Sequence, residues 1–208
     1  HRINRRQRQM CIRDRFIMGA VFYSQAVDNY LDEKMGPDSK PNDKPYKDGA
    51  CYTGKEHSWD EAFGYWGAAA HSLLLTPEQN YNIAKRKDLD AADYNGDGVV
   101  DLKSEYVFSH AYYASSFDKG GKTTYLNDIN RAFLDGRKLI TSANGEKLSD
   151  TQRSELMGYV DVINENWQKV IAESVFKYAG STYKSLVALE TVGNADLAKE
   201  FDKYMKYW

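Results

Sequence analysis

Between Asp93 and Glu105 the stretch DYNGDGVVDLKSE sets acidic or amide side chains at alternate positions around a glycine. A calcium loop of the EF-hand type draws oxygens from its positions one, three, five, seven (a backbone carbonyl), nine and twelve, with Gly at six for the sharp turn. Asp93, Asn95, Asp97, the carbonyl of Val99 and Asp101 fall in that register, with Gly98 at the turn and Val100 at the hydrophobic anchor. Position twelve is Ser104, and Glu105 follows one residue later. Either the loop is stretched by one residue, or Ser104 makes a weaker contact completed by water. The same residues also suit an Asx-rich turn that caps the next helix without metal. Carboxylates packed together repel unless neutralised, which favours calcium. A single loop argues against a paired sensor, and against a dockerin-like module, which needs a duplicated loop. It suits a structural calcium clip in an exported protein, where millimolar calcium tolerates a weak site.

A second stretch, HSWDEAFGYWG from His57 to Gly67, brings His57 and Glu61 onto one helix face at i, i+4, with Asp60 beside them. An imidazole and two carboxylates so placed ligate a metal or form a general acid/base pair. They also suit a helix N-terminus, where Asp60 and Glu61 complement the dipole. Buried acids there need a cation or a tyrosine hydroxyl, and the helix after the acidic loop offers Tyr106, His110, Tyr112 and Tyr113. His110 is the candidate third ligand, whereas His71 and His110 otherwise read as satisfied core histidines. No nucleophile elbow, phosphate loop or HExxH motif occurs, which disfavours standard hydrolases and nucleotide enzymes.

The elements that must position these residues are helices. Near Phe16–Met35 the apolar residues Phe16, Ala20, Tyr23, Val27, Tyr30 and Leu31 recur at helical spacing. Residues 36–55 hold three of the four prolines and predict a long surface loop. A second helix is expected from His57 to about Leu75, its Gly64, Gly67 and Ala68 to Ala70 allowing close backbone approach. A short helix follows Pro77, another leaves the acidic loop through LKSEYVFSHAYYASSF, and Leu126, Ile129, Phe133 and Ile140 mark a further one. From Ser149 to Tyr178, Leu156, Val160, Ile163, Trp167 and Val170 form a core stripe. Gly180 is expected to break that helix, a short one runs to about Val192, and Asn194 caps a last one. No alternating strand pattern competes, so the fold class is all-α, a helical bundle with an inserted EF-hand-like calcium loop.

The chain of 208 residues, 42% hydrophobic and 28% charged, supports one sizeable core or two small ones. Sixteen tyrosines outnumber Phe and Trp together, which favours grooves where a ring is buried and its hydroxyl stays wet. The first fifteen residues carry six Arg and one Asp, against a net charge of −2 for the whole. A basic arm can suggest nucleic acid. This one lacks aromatic interleaving and a start Met, and it resembles a translated read-through, so residues 1–15 are set apart as non-native or disordered and no nucleic-acid partner is expected. Residues 16–208 are expected to form one helical domain truncated at both ends. Two cysteines, Cys11 and Cys51, argue against a disulfide framework and against a Cys-based zinc site. No apolar run is long enough to cross a membrane.

GAVFYSQAVDNYL, YTGKEHSWDEAFGYWG and NGDGVVDLKSEYVF together resemble a family of bacterial exported lipoproteins known as domain of unknown function 4856, over roughly residues 16–208. The resemblance implies an all-helical, envelope-located protein, tied to the membrane by a lipid anchor absent from this chain, with an unassigned activity. Family members carry a second His where this chain has Ser58. A more distant likeness is to imelysin-type bundle proteins, in which His57 and Asp60 occupy comparable spacing; it implies a link to iron uptake. The leading expectation is a calcium-stabilised, ligand-binding helical protein that is not an enzyme. The alternative is a metal-handling protein or metal-dependent enzyme using His57, Asp60 and Glu61.

Overall fold

The computed structural model describes residues 19–36, 39–193 and 196–207. The basic arm, Phe16, Asn194 and Trp208 lie outside them. The described residues are helical, with one isolated antiparallel bridge, Pro45 to Thr53, and no strand among them. The chain divides into two compact units, His1–Trp167 and Gln168–Trp208.

In the first unit, residues 19–24 are α-helical and pass into a π-wound helix α1 (Gln25–Asp32), closed by a 3₁₀ turn at Glu33–Met35. Ala26, Val27, Tyr30 and Leu31 of α1 are buried, and α1 packs on α2 (Gly54–Trp66). Helix α2 starts before His57 because Thr53 caps it: the hydroxyl accepts from the Glu56 amide, and the Glu56 carboxylate accepts from the Thr53 amide. It stops at Gly67 rather than near Leu75. Gly67 is left-handed, with φ +85°, and a Cβ there would lie 2.8 Å from the Phe108 carbonyl oxygen. A 3₁₀ turn (Ser72–Leu74) leads to α3 (Pro77–Ala84), capped by Thr76 and Gln79. Then come α4 (Ser109–Asp118), α5 (Tyr125–Ser142) and α6 (Asp150–Thr191).

Two tryptophans of α2 set its seam with α5. The Trp59 indole N–H donates to the Phe133 carbonyl at 2.8 Å, and the Trp66 indole N–H donates to Asn130 Oδ1 at 2.7 Å. A Cβ on Gly136 would lie 2.2 Å from the Trp59 ring, so only glycine admits that indole. The close approach expected at Gly64 is absent, since nothing lies within 4 Å of a Cβ there. In α6, Leu156, Val160, Ile163 and Trp167 are buried as the stripe predicts. Helix α6 runs 42 residues without interruption, so Gly180 does not break it. An isolated glycine costs a helix only about 1 kcal/mol, and its neighbours retain their i to i−4 bonds. The second unit consists of the C-terminal part of α6 and α7 (Leu197–Tyr207), with Phe176, Tyr183 and Phe201 exposed.

Lys55 anchors the loop that follows α1. The residue is 2% exposed, and its ammonium donates to the carbonyls of Lys34, Gly36 (2.9 Å) and Ser39 (3.1 Å), with no carboxylate partner among the described residues. Burial, reinforced by Arg153, pushes the ammonium down to about 8. The unfolded chain therefore holds more protons than the folded one between pH 8 and about 10.5, and stability rises with pH across that window. Denaturant melts at pH 8 and pH 10 should show that rise, and Lys55→Met should flatten it. Gly136→Ala should destabilise the protein by about 1–3 kcal/mol through overpacking against Trp59, although alanine by itself favours a helix by about 1 kcal/mol; a thermal melt showing stabilisation would refute the seam.

Candidate functional site

Asp93 to Asp101 coils through left-handed Gly96 and Gly98, with φ +72° and +81°. Asp93 accepts from the amides of Gly96, Asp97 and Gly98, Asn95 from that of Asp97, and Asp97 from that of Val99. These are nested Asx turns, in which backbone N–H groups meet the acidic oxygens. Glu105, 5% exposed, lies beneath the loop. Its carboxylate accepts from the amides of Tyr94, Asn95 and Asp101, the last at 2.9 Å. The Ser104 hydroxyl donates to Asp101 at 2.8 Å. The Lys103 amide and then that hydroxyl hold Asp101 below the usual carboxylate range. Among the described residues, no group of three or more His, Cys, Asp or Glu is gathered as a metal site would gather it.

The loop also lacks the helices of an EF-hand. Helix α3 ends at Ala84, and α4 begins at Ser109 rather than near Leu102. Phe108 is extended, with φ −147°, because its amide donates to the Gly67 carbonyl at 2.8 Å. That tertiary bond holds the segment out of the helix its sequence favours. The expected helix-loop-helix is therefore corrected to an acidic loop bounded by turns.

The acids of α2 divide between two neighbours. Arg137 of α5 meets Glu56 at 2.7 Å and Asp60 at 2.9 Å. Thr141 joins them by donating to Glu56 at 2.9 Å. Burial raises the Glu56 pKa, but the Thr53 amide, Thr141 and Arg137 outweigh it, so the carboxyl is held below its ordinary range. At Asp60 burial outweighs Arg137 and pushes the carboxyl up. Glu61 turns the other way, 3.4 Å from His57 Nε2 and in hydrogen-bond contact with Tyr30, whose phenol burial and Glu61 push up to about 12. The His57 ring packs on Tyr46, with centroids 3.9 Å apart. His57 and Glu61 thus remain paired, while Asp60 leaves them for Arg137. His110 is not their third partner: it is buried edge-on to Trp167, and burial pushes it down to about 4. The partners expected from α4 are replaced by Arg137 and Tyr30.

A cavity of about 410 Å³ opens beside Asp60. Trp59, Phe63, Leu73, Leu74, Phe133 and Leu134 give it a predominantly apolar wall, and Asp60, His71, Tyr94, Asn130 and Arg137 supply polar groups. Tyr94 is the second residue of the acidic loop, so the two stretches that carry the sequence's chemistry share this cavity. His71 is 5% exposed, stacks on Tyr94 at 4.9 Å, and places Nε2 3.1 Å from the Ala91 carbonyl. Its Nδ1 is buried without a hydrogen-bond partner. Asn130 accepts from Trp66 and donates to the Ser72 hydroxyl at 2.9 Å. Sequence reasoning missed Arg137, Asn130 and the buried, unpartnered Nδ1 of His71. The available signal was the buried acids of α2, which required a cation from somewhere, though nothing in their spacing located it on α5.

No curated protein and no solved structure matches this chain. The family model for a domain of unknown function (DUF4856) matches residues 8–201, a span that takes in α1 to α6, the acidic loop and every residue of the cavity. With the match covering nearly all of its length, the chain belongs to the DUF4856 family.

Proposed function

We propose that this protein is a small-molecule binding domain rather than an enzyme, and that the cavity beside Asp60 is its binding site. The observation that carries this reading is the cavity itself: a volume within the roughly 300–1,000 Å³ range of small-molecule sites, apolar walls and a few polar groups. The neighbouring His57 and Glu61 are engaged with Tyr46 and Tyr30, which supports binding over acid/base chemistry at that pair.

Calcium is the proposed stabiliser of the acidic loop. The register of Asp93, Asn95, Asp97, the Val99 carbonyl, Asp101 and Ser104 supports it, together with the left-handed Gly98. Those residues would hold the ion, while Glu105 spends its oxygens on backbone amides and acts as a staple under the loop. Because Tyr94 lines the cavity, loop order and ligand affinity are coupled in this reading. An envelope location, where calcium is abundant, agrees with it.

The neutral probe N-phenyl-1-naphthylamine should bind with enhanced fluorescence, and Ala70→Trp, which fills the cavity from its rim, should abolish that signal. Equal binding by wild type and variant would remove the site from this cavity. Calcium at tenfold above its Kd should stabilise the fold by about 1.4 kcal/mol, and Asp97→Ala should abolish the gain; a melting curve unchanged in millimolar calcium would refute the ion.

A further inference from the structure

The buried residues of the cavity's lining form its floor and the exposed ones its mouth, and the two differ in what they offer a ligand. At the floor the polar atoms are bonded to one another. The Trp66 indole N–H donates to Asn130 Oδ1, the Asn130 amide donates to the Ser72 hydroxyl, and that hydroxyl donates to Asn80 Oδ1 at 2.6 Å. The Asn80 amide ends the chain on the Ser72 and Thr76 carbonyls, each at 3.1 Å. Ser72, Asn80 and Asn130 are all buried. His71 adds no contact for a ligand, since its Nε2 lies on the Ala91 carbonyl and its Nδ1 is sealed from solvent. A polar group carried to this floor would shed its water and find no partner in exchange, which disfavours it. A hydrocarbon segment has no such loss, and it gains contact with Trp59, Ala69, Leu73 and Phe133.

The mouth is apolar as well. Leu74, Tyr94 and Leu134 line the cavity and are 72%, 63% and 41% exposed, so the apolar lining continues out to the surface. Exposed apolar surface rimmed by polar groups marks a binding groove. The polar groups of this rim are Asp60, whose side chain is half exposed, and Arg137. Arg137 binds Asp60 through Nε and Glu56 through its terminal nitrogen, so these charges are already paired with one another. A head group that stops at this level stays in water, where a neighbouring exposed ion pair discriminates little between charges.

From the closed polar floor and the apolar mouth, we infer that the cavity takes the hydrocarbon tail of a single-chain amphiphile, tail inward and head at the mouth, and that it reads the tail rather than the head. This rests on the binding-site reading above and names the ligand class for it.

The test varies tail and head separately, with displacement of N-phenyl-1-naphthylamine from the wild-type protein reporting the site. The alcohols from 1-hexanol to 1-decanol lengthen the tail under one head; their Kd should fall about fourfold per added methylene, as burial of a CH₂ group requires, and level off once the tail fills the cavity. With the tail held constant, 1-octanol, octylamine and octanoate should agree within about threefold. A hydroxyl at the far end of the tail has no partner at the floor, so 1,8-octanediol should bind roughly tenfold or more weakly than 1-octanol. Leu134→Asp, which sets a charge on the apolar lining, should weaken the whole alcohol series by roughly tenfold or more; circular dichroism confirms that the variant is folded. A flat alcohol series, a charged head that tightens binding by about tenfold, or a diol that matches octanol would each overturn the tail reading, while bound naphthylamine keeps the cavity as a site. If the naphthylamine itself fails to bind, the binding-site reading falls first, and with it this one.

Discussion

The contact between Trp59 and Gly136 governs how near α2 can come to α5. The indole occupies the volume that any side chain at residue 136 would take, and its N–H reaches the Phe133 carbonyl on the same helix. A carbonyl inside a helix is normally taken by the amide four residues on, so a second donor there fixes both rotation and height of one helix on the other. Trp66 repeats the lock on Asn130 about two turns along α2. With the seam set at both ends, Trp59, Phe63 and Phe133 are held as a wall, and the cavity beside them follows from that spacing.

The same spacing decides the electrostatics. Arg137 lies one residue from Gly136, so the glycine that admits Trp59 also delivers the guanidinium to Glu56 and Asp60. Glu56 does two jobs with its two oxygens: one caps α2 through the Thr53 amide, and the other receives Arg137 and Thr141. Asp60 has fewer donors and burial pushes its carboxyl up, which makes it the member of the trio with capacity for a further partner. Glu61, one residue on, points a third of a helical turn away and belongs to Tyr30 and His57.

At the acidic loop, local and tertiary bonds act in sequence. The Asx turns at Asp93, Asn95 and Asp97 need only residues within five positions, and two left-handed glycines let the chain coil tightly enough to make them. Glu105 then binds the loop from below through three amides, and the Phe108 amide ties the outgoing strand of chain to the end of α2. The loop is thereby carried to the cavity with Tyr94 stacked on His71.

The all-helical class, the stripe of Leu156, Val160, Ile163 and Trp167, the caps at Thr53-to-Glu56 spacing and the turn-forming order of the acidic loop follow from the sequence alone, because each depends on residues within one or two turns of each other. The family resemblance was legible for the same reason, resting on contiguous motifs. What only tertiary structure decided has long sequence separation. Gly67 ends α2 early because Phe108 lies against it, α4 starts late because the Phe108 amide is bonded elsewhere, and Asp60 parts from His57 because Arg137 reaches it across 77 positions. His71 read as an ordinary core histidine, and only the packing that brings the Ala91 carbonyl to Nε2 and Tyr94 onto the ring leaves its Nδ1 buried without a partner. Spacing along one helix fixes which side chains share a face; which face meets a cation, a ring or a cavity is set by how the helices pack.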